Sequence, residues 1–192
     1  MVAIGNKGCF LTVEGIMAGQ TPLATKAFGQ IISSFGNIIE IGGGRGGFST
    51  FLNSNKVESA KFTSYEINPS RLLIPEKSPI DIRIANCFDS KTSKEIKENI
   101  SKGSRTLLLC DGGNKLREFE LFSPSLKKGD VIMCHDYCHN IEEWRQITKP
   151  LCWPTPPEVY YNDIESATSI NNLKPFKYDL FKSVLWGSFV KN

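Results

Sequence analysis

The residues best suited to chemistry follow short apolar runs of the chain. Five such runs end in glycine or polar residues: residues 40–46, Glu66, residues 86–87, Asp111 and residues 135–136. Carboxylates, amides and imidazoles can bind hydroxyl groups, hold metal ions or move protons. In parallel α/β sheets, ligands bind beyond the carboxyl ends of the strands. If the apolar runs are parallel strands, these side chains are expected to meet at one site.

The glycine-rich stretch "EIGGGRGG" matches two sequence templates. Gly42, Gly44 and Gly47 fit the dinucleotide fingerprint G-x-G-x-x-G. Glu40, followed by Gly42, Gly44 and Gly46, fits E/D-x-G-x-G-x-G, the signature of class I S-adenosylmethionine-dependent methyltransferases. A plain glycine turn between a strand and a helix is a third interpretation.

Three features favour the methyl donor over the dinucleotide. The carboxylate of Glu40 would repel a pyrophosphate but attract a cationic sulfonium. Glu66 lies 20 residues beyond Gly46, where a carboxylate can accept the ribose hydroxyls of either cofactor. Only 56 residues follow Asp136, fewer than the separate catalytic domain of a typical hydride-transfer enzyme would need. An NAD(P)-dependent oxidoreductase on the same scaffold stays open as an alternative, and so does a non-catalytic donor-binding relative.

From residue 37 onward the chain resembles the class I methyltransferases, and the resemblance implies a role for each of these residues. The backbone of the glycine loop would approach the amino-acid portion of S-adenosylmethionine. Glu66 would bind the ribose, and Ile67 would pack on the adenine. Asn86 and Cys87 would border the adenine, in the place of the family's "GDA" element. The implied cofactor-binding residues are Glu40, Gly42, Gly44, Gly46, Glu66, Ile67, Asn86, Cys87 and Asp111.

Residues 107–137 resemble the metal-assisted O-methyltransferases of small molecules, most closely the cephalosporin-hydroxylase-like and rhamnosyl O-methyltransferase group. Asp111 matches the acid after that group's fourth strand, and residues 118–130 match its helix and turn. His135 and Asp136 stand where the group has an acidic pair, so His135 departs from the usual Glu or Asp. The terminal "LWGSFVK" resembles the group's last strand. The resemblance implies methylation of a hydroxyl on a sugar or a secondary metabolite.

The polar residues after the last two apolar runs suggest metal-assisted catalysis. Asp111, His135 and Asp136 offer two oxygens and a nitrogen, a set that suits Mg, Mn, Fe or Zn. A divalent metal would polarise the acceptor hydroxyl so that it loses its proton. The alternative is that both carboxylates cap loops and that His135 only hydrogen-bonds its neighbours.

Lys115 is the third catalytic candidate, beside Asp111 and His135. In the metal-assisted relatives, a Lys or His near this place acts as a general base. Lys115 could do so if burial or a nearby cation lowered its pKa. Its position at the start of an amphipathic helix favours a solvated lysine instead.

The remaining unusual stretches carry weaker predictions. "CHDYCH" (residues 134–139) suggests zinc, but four ligands within six residues cannot easily close a tetrahedron. His139 is a better candidate for contact with the acceptor. Residues 144–165 contain two Trp, two Tyr and four Pro, which predicts either an aromatic roof over the pocket or packing against the last strand.

Strand and helix patterns alternate between residues 37 and 136, which predicts how these residues are positioned. Strands are predicted at residues 37–41, 61–67, 81–88, 105–111, 131–136 and 180–191, and helices at residues 21–35, 47–55, 92–100 and 115–126. The pattern predicts an α/β fold, a single Rossmann-like methyltransferase domain with a mainly parallel seven-stranded-type sheet and helices on both faces. The predicted domain spans residues 1–192, with an N-terminal segment and helix (1–36), a cofactor-binding core (37–136), and an aromatic and Pro-rich loop with a terminal strand (137–192).

Composition indicates which partners and which compartment to expect. The 192 residues carry a net charge of only +3, and no apolar run is long enough to span a membrane. Four lysines in residues 91–102 alternate with Glu95 and Glu98, which indicates a self-paired helix face rather than a nucleic-acid groove. Six cysteines without a recognisable secretory leader predict reduced thiols and a cytoplasmic protein. The expected partner is a small-molecule acceptor, and a second copy of the chain could complete its pocket.

Overall fold

A computed structural model describes residues 2–75, 78–151 and 156–192. The strands are β1 (Ile4–Lys7), β2 (Phe10–Val13), β3 (Ile16–Met17), β4 (Asn37–Ile41), β5 (Lys61–Glu66), β6 (Ile82–Ile84), β7 (Thr106–Cys110), β8 (Val131–His135), β9 (Tyr137–Cys138), β10 (Val159–Tyr160), β11 (Leu173–Pro175) and β12 (Trp186–Lys191). The α-helices are α1 (Ala24–Gly29), α2 (Gly47–Asn55), α3 (Ser90–Lys102), α4 (Lys115–Phe122), α5 (Ile141–Leu151), α6 (Tyr161–Ile170) and α7 (Tyr178–Lys182).

Seven strands form the central sheet in the order β11-β12-β8-β7-β4-β5-β6. The pairs β6/β5, β5/β4, β4/β7 and β7/β8 are parallel, whereas β12 runs antiparallel to both β8 and β11. The predicted α/β fold with a mainly parallel seven-stranded sheet is therefore confirmed. The chain builds outward from β4 in one direction and from β7 in the other. That switch point leaves a crevice at the carboxyl ends of these two strands, where such folds bind their ligands.

The sheet is covered on both faces, which explains why its central strands are continuous apolar runs. Every residue of β4, β7 and β8 is buried. Ile38 and Leu107 belong to one core cluster together with Phe28 of α1. Ile39 and Leu108, the next residues of the same strands, belong to a second cluster. Because successive side chains of a strand point to opposite faces, the two clusters hold the sheet as a packed platform for the residues at its edge.

A small antiparallel sheet of β1, β2 and β3 precedes the first helix, and sequence analysis missed it. Glu14 and Gly15, between β2 and β3, both have positive φ, 52° and 75°. Positive φ at both central residues is typical of a two-residue hairpin turn. Leu11 and Val13 are fully buried in the larger core. The small sheet thereby packs against the beginning of α2, beside the glycine loop.

The strand predicted at residues 180–191 is wrong in its first half. Residues 178–182 form α7, and β12 begins only at Trp186. Phe181 is the buried residue of α7, and Leu185, with a φ of 62°, turns the chain into β12. The prediction treated the whole segment as one strand.

The helix predicted at residues 21–35 is shorter in the structure. α1 is preceded by Leu23 at its N-cap position, not by Thr21, and no side chain caps it. The helix ends at Gly29, and a separate 3-10 turn follows at Ile32–Ser34. Glycine and serine are weak helix formers, which accounts for the interruption.

The strand predicted at residues 81–88 also ends early, at Ile84. The side-chain oxygen of Asn86 accepts a hydrogen bond from the Phe88 backbone N–H at 3.0 Å. This local bond folds the chain into a turn that a continuing strand would not allow.

The lysine-rich segment forms α3, and its charges pair within the helix as predicted. Lys102 Nζ lies 2.8 Å from Glu98 Oε2, four residues earlier. None of the helices that the structure describes has both the length and the apolar character that a membrane span requires.

Candidate active site

The glycine loop between β4 and α2 turns sharply against the loop that follows β7. Gly42, Gly44 and Gly46 have φ values of 89°, 55° and 88°, in the left-handed region that residues with a Cβ rarely adopt. A Cβ added to Gly42 would lie 2.2 Å from the carbonyl oxygen of Asp111. The two loops therefore meet backbone to backbone at the switch point of the sheet.

Four amide groups of the glycine loop already donate hydrogen bonds inside the protein. The N–H groups of Gly42 and Gly43 donate to one carbonyl of β5 at 2.8 and 3.2 Å, and that of Gly46 donates to the Gly43 carbonyl at 2.8 Å. The Gly44 N–H donates to Glu66 Oε2 at 2.7 Å. A pyrophosphate site needs such amides for its phosphate oxygens. These four amides are therefore not directed at a phosphate.

Glu40 lies at the base of the loop and is only 1% exposed. Its Oε2 accepts hydrogen bonds from the hydroxyls of Ser49 and Ser64, the latter at 2.6 Å. Burial raises the pKa of Glu40 to about 7, the two serine hydroxyls oppose that change, and the charges of Asp111 and Glu66 add to it. A cation bound nearby would favour the ionised carboxylate.

Glu66 ends β5 and anchors the loops around it. Its Oε2 accepts from Gly44 N–H at 2.7 Å, and its Oε1 accepts from Asn68 N–H at 2.8 Å. Each carboxylate oxygen has a second lone pair, so both can also accept a ligand hydroxyl. The arrangement fixes the direction of the carboxylate before any ligand binds.

A cavity of about 690 Å³ opens at the carboxyl ends of the parallel strands. Of the predicted cofactor-binding residues, it is lined by Glu40, Gly42, Gly44, Glu66, Ile67, Asn86, Cys87 and Asp111. Gly46 does not line it, because this residue lies against the side chain of Ile74, 2.6 Å from where its own Cβ would be. Acidic groups outnumber basic ones in the lining: Glu40, Glu66, Asp111, Glu118, Asp136 and Glu158 face Arg45, Arg71, Lys115 and His135.

The residues predicted to border the adenine lie together at one end of the cavity. Ile67 is 65% exposed, so its apolar surface is open to a flat ring. Asn86 uses its side-chain oxygen for the turn at Phe88, which leaves its amide group for a ligand. Burial raises the pKa of the Cys87 thiol to about 12, so this cysteine is an apolar wall rather than a nucleophile.

Asp111 and His135 form a hydrogen-bonded pair at the other end of the cavity. His135 Nδ1 lies 3.0 Å from Asp111 Oδ1. Since an ionised carboxylate only accepts, Nδ1 carries the proton. Burial of the imidazole lowers its pKa, but the charges of Asp111 and Asp136 outweigh burial and raise the pKa of His135 above its ordinary value. The pair has the geometry of an oriented acid–base group.

A buried glutamine that sequence analysis missed holds this pair in place. Gln20 is fully buried, and its Nε2 donates to Asp111 Oδ2 at 2.7 Å. Its Oε1 accepts from the indole N–H of Trp186 at 2.8 Å. The Trp186 ring also lies 4.9 Å from the His135 ring. Nothing in the sequence around Gln20 signals this role, since the contact joins residues that are 91 and 166 positions apart.

Lys115 is buried rather than solvated, so the prediction of a solvated lysine is wrong. Its side chain is 6% exposed, and its Nζ lies 2.9 Å from Glu158 Oε2 and 3.4 Å from Asp136 Oδ2. Burial alone would lower its pKa, but Asp111, Asp136 and Glu158 together raise it above its ordinary value. A pKa above that of an ordinary lysine lies too far above neutral pH for a general base. Lys115 is therefore a buried cation in this site.

The predicted metal ligands meet, but their arrangement does not fit a divalent metal. Both oxygens of Asp111 accept hydrogen bonds, from Gln20 and His135. Asp136 Oδ2 faces the ammonium of Lys115. Within residues 2–75, 78–151 and 156–192, no three His, Cys, Asp or Glu side chains are placed to hold one ion. The place beside these carboxylates is taken by a lysine.

Glu118 of α4 is a further cavity residue that sequence analysis missed. It is 1% exposed and accepts hydrogen bonds from Gly112 N–H at 3.1 Å and Asn114 N–H at 3.3 Å. Burial raises its pKa to about 7, against the effect of these two bonds. Its spacing seven residues after Asp111 could have indicated a carboxylate that holds the intervening loop.

The weaker sequence predictions are not supported by the described residues. His139 was predicted to contact the acceptor, but it does not line the cavity. Its exposed ring stacks on Tyr161, with the ring centroids 5.0 Å apart. Cys134 and Cys138 are buried and are free thiols. No zinc site forms from the "CHDYCH" stretch among the residues described.

The stretch that was predicted to form an aromatic roof, residues 144–165, is largely helical where the structure describes it. Residues 144–165 contribute to α5, β10 and α6, and of their described part only Glu158 lines the cavity. Trp144 instead packs with Leu185 and Cys138 in a small cluster away from the site. Residues 152–155, which include Cys152 and Trp153, lie outside the described part of the chain.

Comparison of the sequence gives no match to a protein-family model and no match among curated proteins. The fold is similar to that of solved structures. A structure described as CmcI with Mg and SAM (S-adenosylmethionine) has a TM-score of 0.64 at 15% identity, over 94% of this chain and 76% of that one. A putative caffeoyl-CoA O-methyltransferase from Staphylococcus aureus has a TM-score of 0.57 at 15% identity, over 88% and 83%.

The MycE methyltransferase of the mycinamycin biosynthetic pathway, solved with Mg and SAH (S-adenosylhomocysteine), has a TM-score of 0.52 at 14% identity, over 90% of this chain and 49% of that one. Identities this low establish the fold rather than the activity. The chain therefore has the Rossmann-like fold of the SAM-dependent methyltransferases, as its glycine loop and strand-end acids predict.

Proposed function

We propose that the protein transfers a methyl group from S-adenosylmethionine to a hydroxyl of a small molecule. The observation that carries this proposal is the chemistry of the cavity lining. Among the described residues, six carboxyl groups line the cavity against four basic groups, and a bound cation would favour the ionised form of Glu40 and Glu118, whose pKa values are raised to about 7. Four glycine-loop amides are already used inside the protein. A sulfonium cation suits such a cavity, whereas a pyrophosphate would meet the charges of Glu66 and Asp111 and could not use these four amides.

In this proposal, the residues at the ends of β4 and β5 would position the donor. Glu66, with its direction fixed by two backbone amides, would accept the ribose hydroxyls. The exposed face of Ile67, with Asn86 and Cys87, would border the adenine. The amino-acid portion would then lie over the glycine loop, near Glu40. This order brings the methyl group toward Asp111 and His135.

His135 would take the proton of the acceptor in this proposal. As the acceptor oxygen bonds to the methyl carbon, the carbon–sulfur bond breaks and the hydroxyl proton passes to the imidazole. Asp111 accepts from Nδ1–H and so stabilises the imidazolium that forms. Holding acceptor and methyl in line can lower the barrier by ~7–11 kcal/mol. Because the pKa of His135 is raised, the rate is expected to increase with pH as the imidazole loses its proton.

The ligands named for solved structures with this fold support the proposal. CmcI is described with Mg and SAM, and MycE with Mg, SAH and mycinamycin VI. A methyl donor site and a small-molecule acceptor are therefore consistent with the fold. Metal assistance, which the sequence also suggests, would require the ammonium of Lys115 to leave Asp136.

Calorimetry with S-adenosylhomocysteine tests the proposal directly. We expect binding to the wild-type protein, and at least about tenfold weaker binding to Glu66→Gln, which loses a charged hydrogen-bond acceptor. Glu120→Gln is the matched control, because Glu120 is exposed on α4 and does not line the cavity. No binding at millimolar ligand, together with enhanced NADH fluorescence, would favour the oxidoreductase. Donor affinity unchanged by Asp111→Ala, with no turnover of any hydroxylated acceptor, would indicate a non-catalytic relative.

A further inference from the structure

Among the residues that the structure describes, Lys115 is the one lysine that lines the cavity, and it is held there by two carboxylates from a different part of the chain. It opens α4, and its Nζ lies 2.9 Å from Glu158 Oε2 and 3.4 Å from Asp136 Oδ2. At 6% exposure the side chain cannot move freely into solvent. A lysine is almost never buried unless it is paired in this way.

The backbones that carry the two carboxylates are hydrogen-bonded to each other, and the side chain of Asp136 is only 12% exposed, whereas that of Glu158 is 51% exposed. The Asp136 carbonyl accepts from Glu158 N–H at 2.8 Å and from Val159 N–H at 3.3 Å. Asp136 has a φ of 51°, a left-handed conformation that is uncommon for a non-glycine residue. Such strain persists where the surrounding structure holds it, and it is concentrated at functional sites. The cluster of Lys115, Asp136 and Glu158 is a built feature of the cavity.

The charges of this cluster leave no place for a divalent ion. Asp111, Asp136 and Glu158 supply the carboxylates, and Lys115 and His135 supply the opposing cationic groups. An ion bound by Asp136 Oδ2 would lie next to the ammonium, which already faces that oxygen. Repulsion between neighbouring cations is strong where solvent is largely excluded. Asp136 Oδ1 is buried and has no hydrogen-bond partner among the residues described.

We propose that the ammonium of Lys115 does the work that a divalent metal would do beside the same carboxylates, so that the protein acts without a metal. An ammonium has three N–H donors, and its two carboxylate neighbours, Glu158 Oε2 at 2.9 Å and Asp136 Oδ2 at 3.4 Å, leave at least one donor for a ligand. The third donates to the acceptor oxygen and stabilises the negative charge that develops on it as the proton passes to His135. The role in catalysis rests on the proposed function, whereas the exclusion of metal does not.

Binding of Mn²⁺ followed by electron paramagnetic resonance tests the exclusion without an acceptor. We expect wild-type protein to leave the signal of free Mn²⁺ unchanged at millimolar ion. Lys115→Met removes the competing cation and leaves the carboxylates, so we expect Mn²⁺ affinity to rise at least about tenfold. Lys115→Gln gives a second, more polar variant in case the first does not fold. Circular dichroism checks the fold of each.

Two further variants locate any gained site. Lys127→Met is the matched control, because Lys127 also pairs with a carboxylate, Asp130 Oδ2 at 3.0 Å, but does not line the cavity. We expect it to bind no more Mn²⁺ than the wild type. Adding Asp136→Asn to Lys115→Met is expected to abolish the gained binding.

The proposal is overturned if wild-type protein binds Mn²⁺ more tightly than about 0.1 mM, or if the folded Lys115 variants gain no affinity. Failure of the proposed function gives a different result, namely no binding of S-adenosylhomocysteine in calorimetry. Once an acceptor is known, wild-type turnover that survives EDTA and falls at least about hundredfold in Lys115→Met is expected, as for loss of one donor to a developing oxyanion.

Discussion

Glu40→Gln is expected to change how the stability of the protein depends on pH. Glu40 is 1% exposed, and burial raises its pKa from an ordinary 4.5 to about 7. The folded protein therefore holds this proton at pH values where the unfolded chain has released it. A carboxyl group of this kind costs stability as pH rises from 4.5 to 7, and the full cost is present above pH 7.

The size of the effect follows from the two pKa values. At ~1.4 kcal/mol per pKa unit, the difference between 4.5 and about 7 corresponds to about 3 kcal/mol at high pH. Part of it is already present at about pH 5, so between about pH 5 and pH 8.5 the wild type should lose roughly 2–3 kcal/mol through this one group. Gln keeps the carbonyl oxygen that Ser49 and Ser64 donate to, but it does not titrate.

Urea unfolding at several pH values measures the difference. We expect the free energy of unfolding of Glu40→Gln to decline less than that of the wild type as pH rises, by roughly 2–3 kcal/mol over this range. Glu120→Gln corrects for the loss of one surface carboxylate. Parallel pH profiles for wild type and Glu40→Gln would refute the reasoning, because they would show that burial does not hold the proton on Glu40. Saturating donor should reduce the wild-type slope, since a cation beside Glu40 favours its ionised form.

The remaining predictions concern the loops around the cavity. Gly42→Ala should cost at least about 2 kcal/mol of unfolding free energy, because its Cβ would lie 2.2 Å from the Asp111 carbonyl oxygen. The control Gly8→Ala, at a φ of 62° with open space around it, should cost only about 1 kcal/mol. Equal losses of stability in the two variants would contradict the argument. Gln20→Leu should cost about 2–4 kcal/mol of unfolding free energy in urea, because the Asp111 carboxylate and the Trp186 indole N–H each lose a hydrogen-bond partner. A loss of only a few tenths of a kcal/mol would show that these two bonds contribute little to stability. Glu118→Ala should lower stability by about 1–3 kcal/mol, because two N–H groups of the loop after β7 lose their acceptor. The same change should weaken S-adenosylhomocysteine binding in calorimetry. Unchanged affinity would show that this loop does not contribute to donor binding.

The sequence predicts the central sheet well because its strands are buried on both faces. β4, β7 and β8 are short apolar runs with a polar residue at or next to their carboxyl ends, namely Glu40, Asp111 and His135, so both their existence and their functional ends could be inferred. The bounds of α2 were predicted without error, because glycines precede it and a polar stretch follows it. Where every residue of a strand is buried, the local sequence pattern was sufficient to predict the strand.

The parts that sequence analysis missed depend on contacts between distant segments. Lys115 has the sequence context of a solvated lysine, and only the pairing of β9 with β10 places Glu158 beside it. Gln20 lies in an irregular segment, and its partners come from β7 and β12. In both cases the polar partner is supplied by tertiary structure, which no local spacing encodes.

The position of β12 within the sheet bears on when the site can exist during synthesis of the chain. β12 is the last strand along the chain, yet it lies between β8 and β11 rather than at an edge. Until it emerges from the ribosome, β8 presents an open edge of unpaired N–H and C=O groups, the kind of surface that recruits other chains. The same strand carries Trp186, whose indole N–H donates to Gln20, a residue 166 positions earlier in the chain. A nascent chain can therefore form the donor-binding half of the sheet while the acid–base pair still lacks its support, so the risk of aggregation is greatest before β12 pairs with β8.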